Sequence, residues 1–113
     1  MKTTKTKQEC LEIISMCSQR YSVRKLEQLG CYLDEDEIQG ECDNFAVEVE
    51  DIRGSEGDGA EMFMTLKITD KETSEETYIE FSGRYSSWDS SEYRYSHLVE
   101  PYQEMVTFYR RLK

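Results

Sequence analysis

The chain has 113 residues, a formal net charge of −10 and 37% hydrophobic residues. A chain of this length buries enough surface for one modest core but not for a second domain. No segment approaches the roughly 18–20 continuous apolar residues of a membrane span, and no apolar run follows the N-terminal basic residues as in a secretory signal. We therefore expect a single cytoplasmic domain over residues 1–113, with residues 1–6 disordered.

The first third of the chain carries helical signals. Thr6 and Glu9 have the spacing of a capping box at the start of a helix. The apolar residues that follow share one helical face: Cys10, Ile13, Ile14 and Cys17. This apolar stripe then changes phase. The pattern predicts a helical region over residues 7–30, made of two helices at about 7–19 and 23–29 or of one bent helix.

From residue 44 onwards apolar and polar residues alternate, as in strands with one buried face. The alternation predicts four strands, at residues 45–49, 62–68, 78–81 and 106–109. Residues 83–97 form a long third connection. Because short connections make neighbouring strands antiparallel, we predict an α+β fold with an N-terminal helix or helix pair packed on a four-stranded antiparallel β-meander over 44–113. The predicted core consists of Ile13, Ile14, Cys17, Leu26, Phe45, Val47, Val49, Met64, Leu66, Ile68, Ile79, Phe81, Val106 and Phe108.

The four cysteines are predicted to be free thiols. Cys10, Cys17, Cys31 and Cys42 lack the closely spaced pairs of structural zinc sites, and the single histidine, His97, is distant from all of them in the sequence. In a reduced compartment, Cys10 and Cys17 would pack in the interior as small hydrophobic side chains. We expect no metal and no cofactor.

The excess of negative charge lies in one quarter of the chain. Residues 34–61 contain twelve acidic side chains and one basic side chain. These acids continue into a strand pattern, so we expect them on a folded surface. We predict that a basic protein surface binds this set: Asp34, Glu35, Asp36, Glu37, Glu41, Asp43, Glu48 and Glu50. Solvation is the alternative explanation, because a highly charged face also keeps a small domain soluble.

Residues 82–97 have the composition of a binding surface. They include the only tryptophan, three tyrosines, two arginines and six serines. Tyrosine and tryptophan provide large contact areas at small entropic cost, and arginine adds planar donors. We predict a second partner-binding segment made of Arg84, Tyr85, Trp88, Tyr93, Arg94 and Tyr95. The alternative is that Trp88 and some of the tyrosines pack under the connection and cover the end of the sheet.

Common catalytic motifs are missing from the sequence. It contains no P-loop, no dinucleotide-binding glycine motif and no nucleophile elbow, and His97 has no neighbouring nucleophile motif to activate. We therefore predict a protein that is not an enzyme. The net charge of −10 also disfavours direct binding of nucleic acid. The alternative from another class is a small-molecule-binding domain or small enzyme, with a pocket between sheet and helices near Tyr78, Tyr85, His97 and Tyr102.

The C-terminal third of the chain resembles small acidic proteins encoded by phages and prophages. The resemblance is carried by Phe81, Gly83, the run Tyr-Ser-Ser-Trp-Asp at 85–89, Val-Glu-Pro at 99–101 and Val-Thr-Phe-Tyr at 106–109. It implies a phage or prophage setting and transfers no functional residue. In that setting, small acidic domains resemble inhibitors that occupy the nucleic-acid surface of a host protein, including anti-CRISPR proteins and other DNA mimics.

A DNA mimic needs carboxylates at a phosphate-like spacing. Glu48 and Glu50 occupy alternate positions of one predicted strand, which would place them roughly 6.6–6.8 Å apart, near the spacing of phosphates along one nucleic-acid strand. We therefore predict a protein-interaction module, a phage-type inhibitor of a basic, nucleic-acid-binding host protein.

Overall fold

The computed structural model of the chain describes residues 5–54, 61–84 and 92–100. Over these residues three helices pack on one face of a five-stranded antiparallel sheet, with the strand order β1-β2-β3-β4-β5. The elements are α1 at Lys7–Ser18, α2 at Val23–Gln28, α3 at Glu35–Ile38, β1 at Gly40–Glu41, β2 at Phe45–Gly54, β3 at Glu61–Asp70, β4 at Glu76–Arg84 and β5 at Glu92–Val99. The predicted α+β class, with N-terminal helices on an antiparallel sheet, is confirmed. The described residues contain five strands rather than the four predicted, and three of the predicted strands correspond to β2, β3 and β4. The two-residue β1 was missed because it is too short for a periodic signal.

The N-terminal helical region contains two separate helices. The Thr6 hydroxyl accepts a hydrogen bond from the Glu9 N–H at 3.1 Å, and the Thr6 N–H donates to Glu9 Oε1 at 3.0 Å, so the predicted capping box is present. Helix α1 ends at Gln19, whose φ of 57° turns the chain out of the helix. Helix α2 has its own cap, since the Ser22 hydroxyl accepts from the Lys25 N–H at 3.1 Å. The bent-helix alternative is therefore wrong.

Lys5 ties the start of the described chain to the sheet. Its ammonium lies 3.1 Å from Glu75 Oε1 and 3.7 Å from Asp70 Oδ2, at the turn between β3 and β4. The same ammonium lies 5.7 Å from the centroid of the Phe45 ring. Within the segment 1–6, which we predicted to be disordered, Lys5 is thus placed by ion pairs and Thr6 by the helix cap.

The core lies between the helices and the facing side of the sheet. Its largest fully buried hydrophobic side chains are Leu11, Ile14, Leu26, Leu33, Ile38, Met64, Leu66, Ile68, Ile79 and Phe81. Strand β3 alternates buried and half-buried positions along its length, so its predicted face is confirmed. Phe45 and Val49 are only partly buried at the margin of the core. The predicted core residues Val106 and Phe108 lie outside the described residues.

The last described strand was not predicted. We expected a connection over 83–97 and a strand at 106–109, whereas β5 occupies the first segment and the second lies outside the described residues. Two features hide β5 in the sequence. Its buried position opposite Phe81 is the polar Ser96, and an irregularity in the β4–β5 register makes Arg94 an extra residue that breaks the period of two.

Candidate functional site

The predicted acidic residues collect beside one edge of the sheet. We use the name acidic edge for the surface of α3, β1 and the turn that follows β1, which contains Asp34, Glu35, Asp36, Glu37, Glu41 and Asp43. All of these residues except Asp34 are exposed. Helix α3 is held in place because Ile38 is fully buried and the helix contacts α1 and β2. The carboxylates are therefore presented by a folded surface, as the sequence predicted.

Asp34 has a structural task within the acidic edge. Its Oδ1 accepts hydrogen bonds from the backbone N–H groups of Asp36 at 2.8 Å and Glu37 at 3.2 Å, which caps α3. An aspartate ahead of three acidic residues is a sequence signature of a helix start. We did not predict α3, because four residues are too few for an apolar period. The Asp34 carboxylate therefore caps the helix, and the exposed carboxylates of the acidic edge are those of its neighbours.

Counterions neutralise only part of the acidic edge. Arg20 lies 3.4 Å from Glu37, and Lys71 lies 3.2 Å from Glu41. Exposed ion pairs of this kind contribute little and are screened by salt. Across residues 5–54, 61–84 and 92–100, three other exposed members form no ion pair: Glu35, Asp36 and Asp43. The acidic edge therefore keeps a negative surface of its own.

Glu48 and Glu50 do not occupy the regular alternate strand positions that we predicted. A β-bulge interrupts the alternation of β2 at this point. Lys67 Nζ lies 3.9 Å from Glu48, 3.7 Å from Glu50 and 3.7 Å from Glu76. Desolvation lowers the pKa of Lys67, but the carboxylates of Glu50, Glu48 and Glu76 outweigh it and hold that pKa above its ordinary value. Lys67 thus pairs with both carboxylates, which leaves less negative charge for a phosphate-like row.

The second predicted segment contributes to a groove on the sheet face that the helices leave open. This open-face groove has a volume of about 390 Å³ and is lined by Glu61, Phe63, Ser82, Gly83, Arg84, Arg94 and Tyr95. Strand register places Phe63, Ser82 and Tyr95 in one row across β3, β4 and β5. The Tyr95 side chain is 62% exposed. Next to the row, the guanidinium of Arg53 lies 5.5 Å from the centroid of the Phe63 ring.

The arginines of the open-face groove suit planar anionic groups. Arg84 and Arg94 are both exposed, and Arg94 Nε donates to Glu92 Oε1 at 2.7 Å. Guanidinium groups recognise carboxylates and phosphates through paired hydrogen bonds, and aromatic rings beside them add stacking surface. Three residues of the predicted segment, Arg84, Arg94 and Tyr95, are therefore brought together. Tyr85 and Trp88 lie outside the described residues.

Tyr93, which we included in the binding segment, belongs to the core. Its side chain is 3% exposed, and burial raises its pKa to about 12. Its backbone N–H donates to Cys31 O at 2.8 Å and its carbonyl accepts from the Gly30 N–H at 2.7 Å. The Tyr93 ring is therefore not exposed for contact with a partner. This agrees with the alternative from the sequence, in which some of these tyrosines pack in the interior.

Two of the four residues that we suggested for the alternative pocket, Tyr78 and His97, do not lie between sheet and helices. Tyr78 pairs with Lys67 and His97 pairs with Glu80, which places both side chains on the open face, away from the helices. Tyr85 and Tyr102 lie outside the described residues. A small ligand would therefore have to bind on the open face to meet Tyr78 or His97.

Comparisons with other proteins assign no family to the chain. No protein-family model matches it, and we found no significant similarity to a curated protein or to a solved structure. Among the described residues, no group of three or more His, Cys, Asp and Glu side chains is arranged to hold a metal ion. No helix in this part of the chain is long and apolar enough to cross a membrane.

Proposed function

We propose that this chain is a non-enzymatic, cytoplasmic protein-interaction domain whose acidic edge binds a basic surface on a nucleic-acid-binding host protein. The observation that carries the proposal is the set of exposed carboxylates of Glu35, Asp36 and Asp43, which have no counterion among the described residues. A surface of one charge attracts a surface of the opposite charge over about 8–10 Å at physiological ionic strength, which speeds encounter and favours partners of matching charge.

The proposed partner class follows from the side chains found in the binding sites of nucleic-acid-binding proteins. Such a site presents lysine and arginine side chains that neutralise phosphates. Carboxylates that enter the site would compete with nucleic acid, and the domain would then act as a phage-type inhibitor and DNA mimic, as some anti-CRISPR proteins do. This mimicry depends on α3 and the turn after β1, since Glu48 and Glu50 already share Lys67.

The open-face groove supports a second contact with the same partner. Arg84, Arg94 and Tyr95 supply planar donors and an exposed ring, the residue types that dominate binding energy at protein interfaces. A contact at the acidic edge would act mainly through long-range attraction, whereas a contact in the groove would act through desolvated packing. We expect the edge to set the association rate and the groove to set the dissociation rate.

Affinity capture with matched variants tests the proposal. The edge variant carries Glu35→Gln, Asp36→Asn, Glu37→Gln and Asp43→Asn, and it retains Asp34 because that residue caps α3. The control variant changes net charge equally at four exposed acids elsewhere, with Glu12→Gln, Glu27→Gln, Glu72→Gln and Glu100→Gln. From a bacterial lysate, the wild type and the control variant should capture the same nucleic-acid-binding protein, and the edge variant should lose it. Equal capture by both variants at matched circular dichroism would contradict the proposal.

The groove volume favours a second candidate function, the binding of a small planar anion. Ligand pockets commonly span about 300–1,000 Å³ and combine apolar walls with a few polar groups. Here the rings of Phe63 and Tyr95 provide the walls and Arg84 provides the charge. Calorimetric titration with a nucleoside monophosphate tests this candidate. Binding that is abolished by Arg84→Gln, but kept in the edge variant, would favour a small-molecule-binding domain over an interaction module.

A further inference from the structure

Two of the four thiols meet in the fold. Cys17 lies in the last turn of α1 and Cys42 lies between β1 and β2, 25 positions later in the chain. Their Sγ atoms are 3.0 Å apart. Either thiol can donate in this contact, and Cys17 Sγ also donates to the carbonyl oxygen of Phe45 at 3.7 Å. This contact could not be predicted from the sequence, because it depends on where β1 lies against α1.

Backbone packing holds both cysteines in place. Gly40 passes so close to the end of α1 that an added Cβ would lie 2.3 Å from the carbonyl oxygen of Cys17. The Cys42 N–H donates to Phe45 O at 2.8 Å, and the Cys42 carbonyl accepts from Lys71 Nζ at 3.0 Å. The short distance between the sulfur atoms is therefore set by the backbones that carry them as well as by side-chain rotamers.

The two cysteines differ in access. Cys17 is 5% exposed, and burial, with the neighbouring Cys42, raises its pKa to about 12. Cys42 is only partly buried. A small reagent in solution thus reaches Cys42 first, and Cys17 is placed to react only with whatever forms on Cys42. Cys10 is fully buried, and burial raises the pKa of its thiol to about 11.

We propose that Cys17 and Cys42 are a disulfide-forming site that reacts with small-molecule disulfides such as oxidised glutathione. The Cys42 thiolate attacks one glutathione sulfur, a mixed disulfide forms and one glutathione thiolate leaves. Cys17 loses its proton to solvent, its sulfur attacks Cys42 Sγ, and the second glutathione thiolate leaves. The two protein thiols are oxidised to one disulfide, and one oxidised glutathione is reduced to two glutathione molecules that take up the two released protons.

The cross-link has a defined place in the fold. It joins the end of α1 to the turn after β1 and encloses the chain that contains α2 and α3. Closing a loop of this kind restricts the unfolded chain, so the oxidised protein should melt at a higher temperature than the reduced protein. Asp43 of the acidic edge directly follows the cross-linked Cys42, but the chemistry does not depend on the proposed partner.

Peptide mapping of the native protein tests the pairing. The protein is equilibrated in a glutathione redox buffer, quenched with acid, alkylated and cleaved after glutamate without reduction. This cleavage separates all four cysteines, because Glu12, Glu27 and Glu41 lie between successive members of the set. We expect one linked peptide pair containing Cys17 and Cys42, and an intact mass lower by two hydrogen atoms. A double variant, Cys10→Ser with Cys31→Ser, should form the same link at the same rate.

Single variants test the order of the steps. Cys17→Ala should accumulate a stable glutathione adduct on Cys42, whereas Cys42→Ala should leave Cys17 unmodified in the folded state. If Cys17→Ala does not fold, the double variant still decides the proposal, since it retains only the two proposed partners. Random pairing in the wild type, or a link in the double variant that forms no faster in the native protein than in urea, would overturn the proposal.

Discussion

The phenol of Tyr21 accepts a hydrogen bond from the backbone N–H of Asp34 at 3.0 Å. Tyr21 is 6% exposed and lies between α1 and α2, whereas Asp34 caps α3. The contact therefore connects a core side chain to the first residue of the acidic edge. Burial raises the pKa of Tyr21, and the ammonium of Lys25 lies 5.3 Å from its ring centroid.

Removing this hydrogen bond should destabilise the fold modestly. Tyr21→Phe keeps the ring and removes the acceptor, which should cost about 0.5–1.5 kcal/mol of unfolding free energy. Urea denaturation measures the change. The matched control is Tyr32→Phe, because Tyr32 is 55% exposed and its change should stay within about 0.5 kcal/mol. Equal stability of the two variants would show that the Tyr21 hydroxyl does not support α3.

Truncation in the core should have a larger effect. Leu66 is fully buried on the helix-facing side of β3, and Leu66→Ala should cost on the order of 2–5 kcal/mol because it removes buried surface and leaves a cavity. Met16, which is 53% exposed on α1, provides the control through Met16→Ala. Thermal unfolding should separate the two clearly. An unchanged melting temperature for Leu66→Ala would mean that the faces of β3 are assigned wrongly.

The close approach of β4 and β5 requires glycine at position 83. An added Cβ would lie 1.9 Å from the carbonyl oxygen of Glu92 and 2.6 Å from Cα of Tyr93. Gly83→Ala should therefore displace β5 and cost roughly 1–3 kcal/mol or more, as overpacking does. Ser82→Ala, at the neighbouring half-buried position, is the control. Hydrogen exchange should show lost protection in β5 for Gly83→Ala; retained protection would place β5 elsewhere.

The capping box should make stability depend on pH in the acid range. Hydrogen bonds from the Thr6 backbone and then its side chain lower the pKa of Glu9 below 4.5. A carboxyl whose pKa is lowered by folding stabilises the folded protein at pH values above its pKa in the unfolded chain. That stabilisation is lost as the pH falls through its pKa in the folded protein. Glu9→Gln keeps an acceptor for the cap but removes the titration.

Melting temperatures between about pH 7 and pH 3 measure this contribution. The curve of Glu9→Gln should fall less steeply than that of the wild type, and Glu12→Gln in the same helix should follow the wild type. A Glu9→Gln curve parallel to the wild type would mean that the charged form of Glu9 is not favoured by the cap.

Helices and strands that are marked by patterns of neighbouring residues could be predicted from the sequence. The Thr6 and Glu9 spacing and the apolar stripe after it are properties of adjacent residues, so α1 was predictable. Strand β5 was not predictable, because one of its buried positions is the polar Ser96 and because Arg94 is an extra residue in the strand that breaks the alternation. The pairing of Cys17 with Cys42 depends on tertiary packing around Gly40, for which a single sequence contains no signal.

Part of the candidate site was predictable for the same reason. The acids of 34–43 are dense enough that their exposure follows from composition alone. Which of them are neutralised does not, because the counterions Arg20 and Lys71 lie after α1 and in the turn after β3. The buried position of Tyr93 likewise depends on its pairing with Cys31, far away in the sequence.

The most direct test of the proposed function is a competition titration on the partner obtained by affinity capture. A complex of that partner with its labelled nucleic acid is titrated with the wild-type chain, the edge variant and the control variant. We predict that the wild type and the control variant displace the nucleic acid equally. The edge variant should need roughly tenfold more protein, which corresponds to about 1.4 kcal/mol. Nucleic acid that stays bound at saturating wild-type chain, or equal displacement by the edge variant, would contradict the account.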